Sequence, residues 1–290
     1  MAQAGEQARE QVGEQAGAQA GEQEAPPAIV QRALPFAPWA DPRTRRLPGI
    51  LPLAPDDWLE ADDAFAAQMA ERDRLIAETP ATVHALLPRA EPAARELLDT
   101  VLEILTARPG YRVGAAEVLR PDGACVPLDR AAPLLTLGRL CQEDFCLLEA
   151  EAAEHALTGA ILCFPASWTL AEKIGRPLIG IHRPVDVYDD DLARRVQRLF
   201  DAIRPGRALW RQNALLYADP ALHHPRREDS PRARPAADAA RFVRSEKQCL
   251  VRLPKTGAVV FSIHTYVVRV EDLTPEQAQA LADHPIGRAG

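Results

Sequence analysis

The residues best suited to chemistry are gathered between Cys163 and Tyr188. There the chain reads Phe164-Pro165-Ala166-Ser167-Trp168-Thr169-Leu170-Ala171-Glu172-Lys173-Ile174-Gly175-Arg176-Pro177, then Leu178-Ile179-Gly180-Ile181-His182-Arg183-Pro184. A lone imidazole, His182, ends an apolar run, and two cations, Lys173 and Arg176, precede it in a turn. By spacing alone such a histidine is more often a satisfied core or capping residue than a ligand. The sharper reading is an axial ligand. A haem pocket needs one neutral imidazole for the iron, an apolar box around the macrocycle and cations for the two propionates.

Other chemistries lack their signatures. The chain has no G-x-x-x-x-G-K-[ST], no G-x-G-x-x-G, no G-x-S-x-G and no H-E-x-x-H. His223 and His224 are adjacent; neighbours in extended chain point opposite ways, so they are read as surface residues. The five cysteines, Cys125, Cys141, Cys146, Cys163 and Cys249, contain no C-x-x-C pair and sit among apolar neighbours. That pattern suits buried structural thiols in a reducing cytoplasm. A net charge of −7 argues against a dedicated nucleic-acid binder. The N-terminus has no apolar signal region, and no apolar run approaches the roughly 18–20 residues of a membrane helix, so neither secretion nor a membrane is expected.

Lys173, Lys247 and Lys255 are the only lysines among 34 basic residues. A GC-rich genome explains an arginine-, alanine- and proline-rich chain. The alternative is that the surviving lysines stand where an ammonium is required.

The elements that must position these groups fall into three regions. Residues 1–27 repeat Gly-Glu-Gln with a period of eight and are read as a disordered low-complexity tail. From 28 to about 135 a helical extension is expected. It has a proline-rich extended entry at 35–55, then helices at about 56–78 and 92–106 with apolar residues at helical spacing. From about 136 to 290 the pattern becomes two strands (143–149, 156–164), a helical middle ending in a helix at 189–203, and three strands (209–217, 241–253, 258–270). A helix from Thr274 to about Asp283 opens with a Thr-Pro-Glu-Gln capping box. This order reads as α+β: one five-stranded antiparallel sheet with helices on one face.

Phe164-Pro165-x-x-Trp168-x-Leu170-Ala171-Glu172-Lys173-Ile174-Gly175-Arg176-Pro177-Leu178 and Ile181-His182-x-Pro184-Val185-x-x-Tyr188 resemble the haem-dependent oxidative N-demethylase family. So do Arg211-x-Asn213, Arg244-x-Glu246-x-Gln248-x-Leu250-x-Arg252-Leu253-Pro254 and Gly257-Ala258-x-x-Phe261-x-Ile263-x-Thr265-Tyr266, and earlier Leu53-x-Pro55-x-Asp57-Trp58-Leu59 with Gln68-Met69-Ala70. The resemblance spans about 35–270.

It implies a PAS-like haem subunit that uses dioxygen, as a monooxygenase or oxidase, on a small secondary alkylamine such as dimethylamine. Electrons would come from a partner reductase carrying FMN and a 2Fe-2S cluster, with a folate-binding subunit beside it. The alternative it leaves is a haem-carrying gas or redox sensor without turnover. On this reading His182 ligates haem b, Lys173, Arg176 and Arg252 meet its propionates, and Trp168 packs on it. Glu172 and Glu246 are the carboxylates that would hold the amine, Arg211 is a distal cation, and Tyr188 and Tyr266 are proton donors. The arginines Arg194, Arg195, Arg198, Arg204 and Arg207 read either as a solvated helix face or as a docking face for an acidic reductase. The family pattern differs at Ala214, Lys247, Cys249 and His264. Those changes bear on the substrate more than on the haem; His264 is a rival iron ligand, although a mid-strand histidine there reads more readily as a pocket wall.

Overall fold

The computed structural model describes residues 29–46, 48–151, 154–182, 190–230 and 240–288; the tail read at 1–27 and Tyr188 lie outside them. In chain order the elements are β1 (Leu51–Pro52), α1 (Phe65–Glu78), α2 (Pro80–Val83), β2 (His84–Leu86), α3 (Glu91–Leu105), β3 (Arg112–Val113), β4 (Glu117–Leu119), β5 (Cys125–Pro127) and α4 (Pro133–Gly138). Then come β6 (Asp144–Glu151), β7 (Glu154–Ile161), α5 (Leu170–Lys173), α6 (Leu178–His182), α7 (Asp190–Ala202), β8 (Leu209–Tyr217), β9 (Phe242–Arg252), β10 (Val259–Arg269) and α8 (Pro275–Asp283).

The fold is α+β around a large antiparallel sheet of order β1-β8-β9-β10-β6-β7-β2. The five strands read from the sequence occupy adjacent places in it. The count of five is corrected to seven, because β1 and β2 from the extension pair onto the two edges. Both are too short to show a period of two, and both lie beside prolines, which edge strands tolerate. A small second sheet, β3-β4-β5, was not foreseen for the same reason of length.

Helices cover both faces of the sheet, not one. Alternation along the strands sends Phe145, Leu147, Val260 and Cys249 to one face, where they pack with Leu97, Leu98 and Val101 of α3 and Leu134 and Leu137 of α4. Cys146, Leu148, Val259 and Ile263 point the other way, toward Leu170, Leu178, Phe200 and Ile203 of the α5–α7 region. The extension thus roofs what we call the inner face, and α5–α7 roof the outer face. The entry, expected to be extended, instead runs through hydrogen-bonded turns at 38–46, with Leu34 and Trp39 buried and the Trp39 indole donating to the Gln277 carbonyl at 3.0 Å.

The first long helix begins at Phe65, not near 56. Pro55–Asp57 make a single 3-10 turn. Trp58 then donates to Ser262 Oγ at 2.9 Å, and the chain from Glu60 to Ala64 is held by side chains: Glu60 N donates to Glu143, Asp62 N to Gln142 and Ala64 N to Asp62. Those bonds occupy amides that a helix would use.

One ion pair joins the two halves of the chain. Arg72 of α1 is fully buried and donates to Asp144 of β6 at 2.8 Å and to the carbonyls of Gly138 and Gln142. Asp144 also accepts the amides of Cys163 and Phe164 at 2.7 and 2.9 Å, which fixes where the chain leaves β7 for the 163–188 stretch.

Candidate functional site

Register on β8, β9 and β10 decides which candidates meet. Arg211 lies opposite Gln248, Asn213 opposite Glu246 and Glu246 opposite Thr265, all on the outer face beside Leu250 and Ile263. In mid-sheet, where most neighbours are buried, Arg211, Gln248 and Phe261 remain half-exposed. Partly buried Trp168 and Ile181 pack into the same apolar cluster as Phe261.

Glu246 accepts from Gln248 Nε2 at 3.1 Å and, at 3.3 Å, from both Asn213 and Arg244. Arg244 also donates to the carbonyls of Phe164 and Leu222. Among the described residues, the polar atoms of this face that are buried with no hydrogen-bond partner include Arg211 Nε, Arg244 Nε and Thr265 Oγ1. Burial lowers the pKa of Arg211, and the charge of Glu246 opposes that shift. Donors without a partner beside a half-exposed apolar patch have the chemistry that a ligand with flat apolar area and a polar edge would need. These residues fit a haem.

Tyr266 is not with them. It points to the inner face, where its hydroxyl donates to Glu60. Lys247, next to Glu246 in sequence, also faces inward and donates to Glu60 and to the Asp57 carbonyl. His264 completes the cluster, with Nδ1 3.0 Å from Glu143 and Nε2 3.1 Å from Asp62. Burial works against a charged His264, but its bonds to Asp62 and Glu143 outweigh that and raise its pKa to about 10. Burial likewise opposes ionisation of Glu60 and Asp62, yet the charges and hydrogen bonds of His264 and, for Glu60, Lys247 lower both. The Tyr266 phenol is pushed up by burial and by the Glu60 charge. A cavity of about 480 Å³ borders this network, lined by Glu60, Asp62, Glu143 and Tyr111 among others. With both nitrogens committed to carboxylates, His264 is an ion-pair centre rather than a pocket wall.

The remaining candidates lie around α5–α7. Lys173 is only 5% exposed and donates to Glu228 at 2.5 Å and to the Ile181 carbonyl at 2.6 Å. Arg176 reaches the same Glu228 at 3.2 Å. Glu172 accepts from Thr169 Oγ1 at 2.5 Å and from the Glu228 amide at 3.2 Å. Arg252 donates to the carbonyls of Phe200, Ile203 and Gly257, capping the end of α7 and the β9–β10 turn. His182 closes α6; its side chain is outside the described part. Ser167, beside Trp168, has φ 63°, a conformation uncommon outside glycine, and its amide donates to the His224 carbonyl. The surface reading of the histidine pair is corrected: both are half-buried, and His223 Nδ1 lies 2.8 Å from the Cys163 carbonyl, which requires a proton on that nitrogen. Of the cysteines, Cys125 is exposed and the other four are buried; burial pushes the Cys163 and Cys249 thiols up to about 12.

Three residues that matter here carried no earlier reading. Glu60 and Glu143 bind partners that are 83 to 206 positions distant in sequence. Glu228 sits in a loop that composition marks only as polar. For Lys247 the signal was the scarcity of lysine itself: it and Lys173 are both buried against carboxylates.

The outer face of the antiparallel sheet thus carries a half-exposed apolar patch beside guanidinium nitrogens without a partner among the described residues. A family model described as "Haem-dependent oxidative N-demethylase, alpha subunit-like" matches residues 49–284, and the chain belongs to that family. The family is by its description haem-dependent, and its "alpha subunit" designation implies partner subunits. Among the described residues no helix is long and apolar enough to cross a membrane.

Proposed function

We propose that this chain is the haem-carrying, PAS-like α subunit of an oxygen-dependent amine N-demethylase, and that the outer face would hold its haem b, with His182 the residue that would bind the iron. The observation that carries this reading is the half-exposed outer-face patch of Phe261, Gln248 and Arg211 with its unpartnered Arg211 and Arg244 nitrogens. Family membership supports the cofactor. Leu250, Ile263, Trp168 and Ile181 supply the apolar contact, and α6 brings the backbone of His182 to the same side of the sheet.

When bound, the haem supplies the binding and reduction of dioxygen. The protein's own groups handle the amine. A secondary alkylamine arrives as an ammonium ion, and Glu246 offers it a carboxylate whose position is fixed by Asn213, Gln248 and Arg244. Arg211 presents an unpaired N–H where negative charge develops. Demethylation of dimethylamine then balances with one dioxygen, two electrons and two protons, giving methylamine, formaldehyde and water. Following the family resemblance, the electrons are assigned to a reductase subunit carrying FMN and a 2Fe-2S cluster. We assign its docking to the arginine-rich end of α7, where Arg198, Arg204 and Arg207 are exposed, and the formaldehyde to a folate-binding subunit.

The test is a visible spectrum of the purified chain with added haemin, before and after dithionite and carbon monoxide. A Soret band that is lost in His182→Ala is expected. A protein that takes up no haemin would overturn the proposal.

A further inference from the structure

Lys173 was read as a propionate ligand, yet two of its hydrogen bonds point elsewhere. Its ammonium is buried between Glu228 Oε1 at 2.5 Å and the carbonyl of Ile181 at 2.6 Å. Ile181 immediately precedes His182 and lies at the C-terminal end of α6, where the helix end is negative. A cation there satisfies the carbonyl and fixes the turn. The charge of Lys173 needs an anion, because a buried ammonium is costly alone, and Glu228 provides it from 55 residues away.

Glu228 is itself held. Arg176 pairs with its carboxylate, and its amide donates to Glu172, which is tied in turn to Thr169. The loop that carries Glu228 is pinned near its start. His224 exchanges backbone bonds with Pro165 and Ser167, His223 bonds the Cys163 carbonyl, and the Leu222 carbonyl accepts from Arg244 of the outer-face cluster. Polar contacts thus pin the loop at 222–224, and four residues on Glu228 pairs with Lys173, which bonds the residue before His182.

We propose that Lys173 and Glu228 are positioning residues: they clamp the end of α6 and so set the placement of His182. For its consequence at the haem this rests on the reading of His182 as ligand; for the clamp itself it does not.

Amide hydrogen exchange of the full-length, haem-free chain tests it. Glu228→Gln and Lys173→Met are each expected to speed exchange in 178–182 roughly tenfold or more, the scale of one lost charge-assisted hydrogen bond. Exchange in 91–105 stays unchanged, and Lys173→Arg restores protection. In the haemin-loaded protein the same two variants are expected to release haem to apomyoglobin roughly tenfold faster and to shift the iron–histidine stretch of the ferrous form. Wild-type exchange at 178–182 in both variants would overturn the clamp. A His182→Ala protein with an unaltered Soret band would overturn the ligand reading alone, and the exchange result would still decide the clamp.

Discussion

His264 and Glu143 meet inside the protein with Nδ1 3.0 Å from Oε1, while the other ring nitrogen faces Asp62 at 3.1 Å. The imidazole is therefore a buried cation between two carboxylates, in a cluster completed by Glu60, Lys247 and Tyr266.

That arrangement makes stability depend on pH with a definite sign. The folded pKa of His264 is raised from 6.5 to about 10, so its contribution is complete below pH 6.5 and is lost as pH rises through 10. Glu60 and Asp62 have lowered values, so their contribution is present above the ordinary carboxylate range and lost on acidification. Burial lowers His84, His155 and His224, whose effects lie below 6.5. Urea midpoints are expected to fall between about pH 7 and pH 9, and His264→Gln is expected to flatten that decline.

Asp144→Ala should be among the most damaging single changes. It leaves Arg72 buried without its carboxylate and frees the amides of Cys163 and Phe164. Removing one partner of a buried pair costs about 3–5 kcal/mol. Urea unfolding is the measurement, and a loss under 1 kcal/mol would contradict the assignment.

Glu246→Gln separates substrate binding from cofactor binding. The carboxamide keeps the size and loses the charge, so the haem spectrum is expected to persist. KM for dimethylamine, with a reductase supplied, should rise about tenfold or more, the scale of one charge-assisted contact. On the proposed function, in which the unpartnered Arg211 Nε–H is assigned to the developing negative charge, Arg211→Gln should instead depress kcat.

Arg252→Ala tests whether that residue serves the fold. Its donors hold the carbonyls of Phe200, Ile203 and Gly257. Stability is expected to drop by about 1–3 kcal/mol, with haemin affinity unchanged. A weakened haemin affinity at unchanged stability would return Arg252 to the propionates.

Glu96→Ala should loosen the β9–β10 hairpin from α3. Both carboxylate oxygens of this buried glutamate accept turn amides, from Lys255 and Thr256, at 2.7 Å. Exposing those amides is expected to cost about 1–3 kcal/mol, read from thermal unfolding.

The sequence by itself determined the strands β8, β9 and β10, the helices α3, α7 and α8, the α+β class and the family. Each is long enough, or periodic enough, for local preference to show, and the family motifs are carried in consecutive residues. The chain could not announce its two edge strands, which are two and three residues long. Nor could local spacing tell which face each polar residue takes. Glu246 and Lys247 are neighbours, but strand alternation sends one to the outer face with Asn213 and the other to the inner face with Glu60. Arg211 and Tyr266, read as parts of one site, are separated by the sheet for the same reason. Only the tertiary structure supplied Glu60, Glu143 and Glu228 as partners. A buried charge is decided by what folds over it, and those groups come from loops whose local sequence carries no mark of the pairing.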